Sequence, residues 1–432
     1  MFENIIEQGA VIQLRDDIVC GRNAPSMLFF GPGESGKGSA ALELARVLSC
    51  NEDAAWKCSC LSCKQHRYLQ NDDLLIMGKK TFSSEIAACQ SAFLRNPESQ
   101  SCKLLFFRSL RKLMLRFSPV LMEDDPKFGK ISSVLQSLDE GINDFLESGQ
   151  LEKTALEKQC ASLVKNALVL ENEGIGNTIP IAQIRRAAYW CRLAPGGKRK
   201  TFIIENAENM RDEARNSLLK LLEEPPASVS IILTASRREA IMPTILSRLR
   251  PYRFLKRDKE SEKEVIRRVF QDNGSCLNKY LDSFLVQNTE KLYSLAAWFI
   301  VSLARITSVS IKKSGENEIP PIINMLGERY AQVAEKAGFE RSFKSASLIK
   351  TIVSKTDNFE DASFSRFMKI CLDMISDVTR SASDPQFSMY NDIFRKNIGE
   401  AVTAVDVLNV SAAITLEALF YKLKKALRGR YG

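Results

Sequence analysis

The stretch "LFFGPGESGKGSA" (Leu28–Ala40) decides the fold of the first half of the chain. A short apolar run enters a glycine-rich turn, and helical periodicity follows in "SAALELARVLSC". The turn has the spacing G-x-x-x-x-G-K of a phosphate-binding loop. In such a loop the backbone N–H groups and a helix N-terminus attract phosphate, and the lysine reaches the terminal phosphates. The predicted nucleotide-binding residues of this loop are Gly31, Gly33, Ser35, Gly36, Lys37, Gly38 and Ser39.

Gly38 breaks the pattern, because a Ser or Thr hydroxyl at that position normally holds Mg²⁺. Ser39 is no simple substitute, since one step along a helix turns a side chain by about 100°. A second departure lies in "FIIENAEN", where an apolar run ends in Glu205 and Asn206. A P-loop ATPase of this type has Asp there for the metal, followed by Glu to polarise water, and a neutral Asn cannot act as a general base. We expect ATP and Mg²⁺ to bind weakly, with Glu205 as a further site residue, and hydrolysis to be weak or absent.

Further apolar runs of strand length indicate the architecture of this half. Their continuous apolarity is typical of strands covered on both faces, and therefore of a parallel sheet flanked by helices. The sequence predicts an α/β P-loop domain over residues 1–254, with a helical insertion at 93–179. Strand-like runs disappear after residue 254, so we expect helical domains at 255–305 and 306–432. The predicted strands are "SMLFFG" (26–31), "DLLIMG" (73–78), "KTFIIEN" (200–206) and "VSIILTAS" (229–236).

Composition indicates a soluble protein. Of the 432 residues, 45% are apolar and 26% charged, as in an ordinary globular chain. The apolar run Leu292–Ala304 is too short to span a bilayer and is predicted to be a core helix. The N-terminus lacks the order of a signal peptide, and the 11 scattered cysteines fit reduced thiols in a cytoplasm. The net charge of +9 is compatible with a polyanionic partner.

A cysteine cluster follows the first helix. Cys50, Cys58, Cys60 and Cys63 have the spacing C-x7-C-x-C-x2-C, and four thiolates in tetrahedral array make a structural zinc site. The tight C-x-C pair strains simultaneous ligation, so His66, the one histidine in the chain, is a second candidate ligand. Reduced thiols without a metal are the alternative.

The segment "KLLFFRSLRKLMLR" (Lys103–Arg116) carries five basic residues and no acidic one. On a helix, Phe106, Leu110, Leu113 and Phe117 would form an apolar side, and the bases would form another. A solvated face on a packing helix is the favoured interpretation. A contact with DNA or a polymerase is the alternative. The bases of Lys422–Arg430 are interpreted in the same way.

The stretch "NSLLKLLEEPPASVSIILTASRREAIMPTILSRLR" (Asn216–Arg250) closely resembles the clamp-loader branch of the AAA+ ATPases, namely the delta-prime and gamma/tau subunits of bacterial DNA polymerase III. The family's "NALLKTLEEPP" corresponds to Asn216–Pro226, and its "LPTIxSRC" to Met242–Leu249. The resemblance covers roughly residues 1–80 and 179–254. It includes "IPIAQIRRAAYWCRLAPGGKRKTFII" and the cysteine knob, where C-x-C replaces the family's C-x2-C.

The resemblance implies an AAA+ domain followed by lid and collar domains. It also implies that Arg248 is donated across a subunit interface to ATP bound by a neighbour, as a catalytic residue in trans. A degenerate site beside this arginine fits a delta-prime-like subunit better than the gamma/tau motor, which stays the alternative. The implied partners are gamma/tau and delta subunits in a hetero-oligomer, the sliding clamp and primed DNA. The chain would be cytoplasmic and belong to the DNA polymerase III holoenzyme, a DNA-directed DNA polymerase by association.

Overall fold

The computed structural model divides the chain into two compact units, Met1–Leu285 and Val286–Gly432. Each unit is described by itself. The residues that the structure describes are 1–78, 81–123, 125, 128–147, 152–176, 178–284, 286–314, 319–336, 345–356, 363–380, 386–406 and 410–428.

The first unit contains a parallel five-stranded sheet with the strand order β2-β3-β4-β1-β5. The four predicted apolar runs form β1 to β4, which confirms the parallel sheet. Nearly every residue of these four strands is buried, as expected for strands covered on both faces. The strands are β1 (Ser26–Phe30), β2 (Leu74–Gly78), β3 (Lys200–Glu205), β4 (Val229–Ala235) and β5 (Arg250–Arg253).

The fifth strand, β5, was not predicted. It is four residues long, contains Pro251, and buries Tyr252 alone among its side chains. It pairs with β1 on one side and lies at the end of the strand order. A proline is tolerated in a strand at a sheet edge, where its missing N–H costs no ladder hydrogen bond.

Helices cover both faces of the sheet. Alternate residues of a strand point to opposite faces, so Leu28 and Phe202 belong to one buried cluster and Phe29 and Ile203 to another. The helices of this unit are α1 (Gly9–Val19), α2 (Lys37–Ser49), α3 (Leu61–Tyr68), α4 (Ser83–Arg95), α5 (Gln100–Met114), α6 (Pro119–Met122), α7 (Phe128–Glu147), α8 (Lys153–Gly174), α9 (Ile181–Arg192), α10 (Asp212–Glu223), α11 (Pro243–Leu246), α12 (Lys259–Phe270) and α13 (Leu277–Ser283). Short 3₁₀ turns lie at Leu115–Phe117, Ala207–Asn209 and Arg238–Ala240.

The predicted insertion is helical, as expected. Helices α4, α5, α7 and α8 build a core of their own, separate from the two clusters on the sheet. The predicted apolar side of α5 is confirmed, since Phe106, Leu110 and Leu113 are fully enclosed. Ile266 and Phe270 of α12 pack into the same core, so the helices after the sheet rest on the insertion.

The second unit is helical in the part that the structure describes. Its helices are α14 (Val286–Lys313), α15 (Pro321–Arg329), α16 (Ala331–Lys336), α17 (Ser345–Lys355), α18 (Ser363–Arg380), α19 (Gln386–Asp406) and α20 (Ala412–Leu427). By length and apolarity, residues 292–313 of α14 could cross a membrane, but 61% of that window is buried inside the protein. Trp298 and Phe299 lie in the core of this unit, as the core-helix prediction expects. The predicted 305/306 division falls inside α14.

Candidate functional site

The phosphate loop connects β1 to α2, which is the predicted strand–loop–helix context. Gly31 ends the strand at φ +151°, and a Cβ there would collide with the backbone carbonyl of Phe254. Gly36 precedes α2 in the left-handed region at φ +92°. Both positions therefore require glycine, and the loop has the backbone shape that its motif predicts.

The loop is held by groups of the protein itself. Lys37 Nζ donates to the carbonyl oxygens of Gly31 at 2.6 Å and Pro32 at 2.5 Å, and the buried Ser35 hydroxyl donates to Pro32 O at 2.8 Å. Arg257, from the segment before α12, donates to the carbonyl of Glu34 and lies over Gly36. Burial lowers the pKa of this guanidinium. Sequence reasoning missed Arg257, because it follows the loop by more than 200 residues and belongs to a charged run.

Glu205 lies at the end of β3 and faces the start of α2. A Cβ on residue 38 would come closer than 3.0 Å to Glu205 Oε1, a separation that real Cβ atoms essentially never show. The other oxygen, Oε2, accepts a hydrogen bond in an ion pair with Arg116, which lies in the 3₁₀ turn after α5. The side chains of Arg116 and Glu205 are only 6% and 11% exposed. The motif therefore places Glu205 correctly, but its carboxylate is already paired with an arginine.

Asn206 directly follows β3. Its backbone is left-handed at φ 52°, and its N–H donates to the Thr234 hydroxyl at 3.0 Å. The contact anchors the end of β3 to β4.

Most bases of the segment Lys103–Arg116 make contacts inside the protein, so its interpretation as a solvated face is wrong, while the alternative contact with DNA or a polymerase stays untested. Arg108 donates to the carbonyls of His66 and Arg67, and Arg111 to that of Tyr68, at the C-terminal end of α3. A helix C-terminus carries unpaired carbonyls and attracts cations. Lys112 pairs with Glu85. These bases hold the insertion against α3 and the sheet. In the segment Lys422–Arg430, Lys422 pairs with Glu400 at 2.9 Å, while Arg430 lies outside the described residues.

Arg248 follows α11 and is partly exposed. Its guanidinium donates to Glu223 Oε1 at 2.7 Å and to Thr244 O at 2.6 Å. A third of its side chain is accessible to solvent. Its contacts within the described residues are made with α10 and α11, and none is with the phosphate loop of the same chain.

The four predicted cysteines come together at the start and end of the knob between α2 and α3. All four Sγ atoms lie within 4.8 Å of one another, and Cys50 Sγ is 3.6 Å from Cys58 Sγ and 3.9 Å from Cys60 Sγ. With Zn–S bonds of about 2.3 Å, a tetrahedral site places its sulfurs about 3.8 Å apart. The donor set therefore fits a four-thiolate metal site, and the C-x-C spacing does not prevent the approach.

Arg46 contacts this cluster, whereas the other candidate ligand, His66, does not converge on it. Arg46 of α2 is buried, forms a bidentate pair with Glu43, and donates from Nη1 to Cys63 Sγ at 3.0 Å. A cation at a cluster of thiolates offsets their negative charge. His66 is not among the converging atoms. Burial, together with Arg108 and Arg46, lowers its pKa to about 4, and in the described part of the chain both of its ring nitrogens lack a hydrogen-bond partner.

Comparison with known proteins gives the family. The model of the family described as "DNA polymerase III, delta subunit" matches residues 6–114 and 150–258, about half of the chain. The chain belongs to this clamp-loader family. Individual relatives are clamp-loader subunits as well. The chain is 27% identical over 123 residues to the "DNA polymerase III subunit gamma/tau" of Mycobacterium tuberculosis. It is 37% identical over 81 residues to the "DNA polymerase III subunit delta'" of Pseudomonas aeruginosa.

These matches are partial. They cover 27% and 18% of this chain, and 21% and 25% of the two clamp-loader relatives, so the chain spans about a quarter or less of their length. A solved structure of a gamma subunit-related protein from Thermotoga maritima is 17% identical. It covers 59% of this chain and 81% of its own, with a TM-score of 0.32. The assignment of the AAA+ fold to this chain therefore depends on the parallel sheet, the phosphate loop and the family match, and not on that solved structure.

Proposed function

We propose that this chain is a delta-prime-type subunit of the DNA polymerase III clamp loader. In this role it completes the ATP site of a neighbouring subunit and helps to load the sliding clamp onto primed DNA. The observation that carries the proposal is the contrast between two sites. The chain's own loop lacks a hydroxyl at Gly38 and has its acidic residue in an ion pair, whereas Arg248 remains accessible within the family motif.

The chemistry of the finger follows from its charge. A guanidinium next to a transferring phosphoryl group stabilises the negative charge of the transition state, and a missing finger lowers turnover at that site by about 10³-fold or more. Arg248 is held in place by Glu223 and Thr244 O, and it makes its described contacts away from its own loop. Such an arginine can act on a nucleotide only if another subunit brings it. The proposed partners are therefore gamma/tau and delta subunits, with the clamp and primed DNA.

The test is Arg248→Ala in the reconstituted complex. We expect the complex to lose the part of its ATPase rate that comes from the ATP site completed by Arg248. Clamp loading onto primed DNA should fall with it, while assembly of the complex is unchanged. Arg237→Ala is the matched control, because Arg237 is an exposed arginine in the loop before α11. Unchanged ATPase and loading in Arg248→Ala would refute the finger.

A gamma/tau-type motor is the rival, and the longer match to gamma/tau subunits is the observation in its favour. ATP turnover by the isolated chain separates the two. A rate well above that of ATP in buffer would favour the motor. We expect turnover close to that of ATP in buffer.

We also propose a structural role for zinc. Cys50, Cys58, Cys60 and Cys63 would hold it, and the ion would fix the knob between α2 and α3 without taking part in catalysis. A cytoplasmic location agrees with reduced cysteines and the buried position of α14. The lid (255–305) and collar (306–432) stay proposals, since the compact units divide at 285/286 instead.

A further inference from the structure

The chain's own phosphate loop does not fit a magnesium ion, and the reason is a residue from outside the P-loop motif. In a competent loop, Mg²⁺ is held by the hydroxyl after the lysine and by the acidic residue at the strand end. Here the first position is Gly38, and the second is Glu205, whose carboxylate is engaged by Arg116. Both protein ligands of the metal are therefore missing or taken.

Arg116 is fixed firmly in this position. Its guanidinium carbon lies 5.3 Å from the centre of the Phe82 ring, and the ring itself is fully buried. Its Nη2 donates to Glu205 Oε2. Nε and Nη1 are buried, and no hydrogen-bond acceptor faces them in the described part of the chain. A stacked, paired and buried guanidinium cannot swing away at low cost, since that would strand a buried carboxylate.

Arg116 lies just beyond the first stretch that the family model matches. That match ends at residue 114 and resumes at 150, so the unmatched segment is shorter than the predicted insertion at 93–179, and α5 lies in the matched part. Lys112 of α5 and Arg116 of the following turn line a cleft against Gly38, Ser39 and Glu205. The turn after α5 thus reaches the gap between the phosphate loop and the end of β3.

We propose that Arg116 takes the place of the divalent cation, so that the loop gains no affinity for nucleotide from Mg²⁺. The guanidinium of Arg116, in the turn after α5, neutralises Glu205 permanently, whereas a competent site would use an exchangeable ion. Gly38 is then a requirement, because any Cβ at residue 38 would collide with the carboxylate that Arg116 holds. The inference concerns the chain's own site and does not depend on Arg248 acting in trans.

The test compares nucleotide binding with and without metal in the full chain. Fluorescent N-methylanthraniloyl-ATP is titrated in Mg²⁺ and in EDTA. For the wild type we expect no difference between the two conditions. In Arg116→Ala, Glu205 is released to bind the ion, and Mg²⁺ should raise the affinity for the nucleotide about tenfold, within the usual range of coupling between two ligands.

Lys112→Ala is the matched control, since Lys112 lies one turn before Arg116, carries the same charge and lines the same cleft, but pairs with Glu85. It should behave like the wild type. Metal-dependent binding by the wild type would overturn the proposal, as would an Arg116→Ala chain that folds and gains no metal dependence.

A second measurement applies if Arg116→Ala does not fold. Gly38→Ser should lower the melting temperature of the wild type, and should lower it less in a Glu205→Asp background, whose carboxylate is one methylene shorter. An equal loss in both backgrounds would show that residue 38 and the Arg116-bound carboxylate do not compete for space, and would overturn the proposal.

Discussion

Arg46→Met is the substitution with the clearest expected cost, because Arg46 is a buried cation with several partners. Its side chain and that of Glu43 are only 2% and 3% exposed. Arg46 also donates to the carbonyls of Ala54 and Ala55 and to Cys63 Sγ. Removing one partner of a buried ion pair costs about 3–5 kcal/mol, since the other charge is left uncompensated. For a compact unit of this size, with an unfolding entropy of about 2.1 cal/mol/K per residue, that is a fall in melting temperature of about 5–8 °C.

The assay is thermal unfolding of the full chain, together with the release of zinc to a chromogenic chelator. Release should accelerate, because Arg46 ties α2 to the knob and balances the charge of the thiolates. Arg67→Met is the control, since Arg67 lies on the same knob and over the same Trp56 ring as Arg46 but is partly exposed. It should cost about 1 kcal/mol or less.

A double variant tests the reasoning itself. Glu43→Gln removes the buried charge and keeps an oxygen that can accept from the Phe2 N–H, which now binds Glu43 Oε1 at 3.2 Å. Arg46→Met with Glu43→Gln should recover about half of the loss, because no unpaired charge remains. A single variant that loses less than about 1 kcal/mol, or a double variant no more stable than the single, would refute the account.

Two further outcomes can be measured directly. Metal analysis of the purified chain should find about one zinc per chain. Cys63→Ser should lose the zinc, while Cys191→Ser, which changes a buried cysteine outside the cluster, should keep it. Equal metal content in both variants would contradict the site. Asp73→Ala should lower the free energy of unfolding, measured by urea titration, by about 2–3 kcal/mol, because the buried carboxylate accepts from the N–H groups of Gly196 at 2.9 Å and Gly197 at 2.6 Å. Asp73→Asn should lose less, and an alanine variant as stable as the wild type would contradict this.

Sequence patterns predicted the features that depend on local order. Continuous apolar runs identified β1 to β4 because those strands are buried on both faces, and the glycine motif identified the loop because its backbone shape needs glycine at fixed spacing. The strand β5 was missed because an edge strand of four residues with one buried side chain has no such periodicity. The cysteine cluster was found because its four members lie within fourteen residues of the chain.

The partner of Glu205 could not be found in this way. Arg116 lies 89 residues earlier in the chain, and nothing in its local pattern separates it from the solvated bases of a surface helix. Charge alone does not tell which face of a helix is buried, and here the bases of α5 point to carbonyls and carboxylates inside the protein. The inward direction of these bases therefore had to come from the structure and not from the charge pattern of α5.

The geometry of α5 links the knob and the degenerate site mechanically. Arg108 and Arg111 bind the end of α3, while Arg116, in the turn that follows, binds the end of β3. Both attachments use buried charges, so neither can be released without leaving an unpaired group at a cost of several kcal/mol. In the proposal above, Arg116 takes the place of the exchangeable ion, so that these two attachments hold the knob, α5 and the sheet together without a metal. A rigid subunit of that kind suits the proposed task, which is to present Arg248 to a neighbour in a constant position.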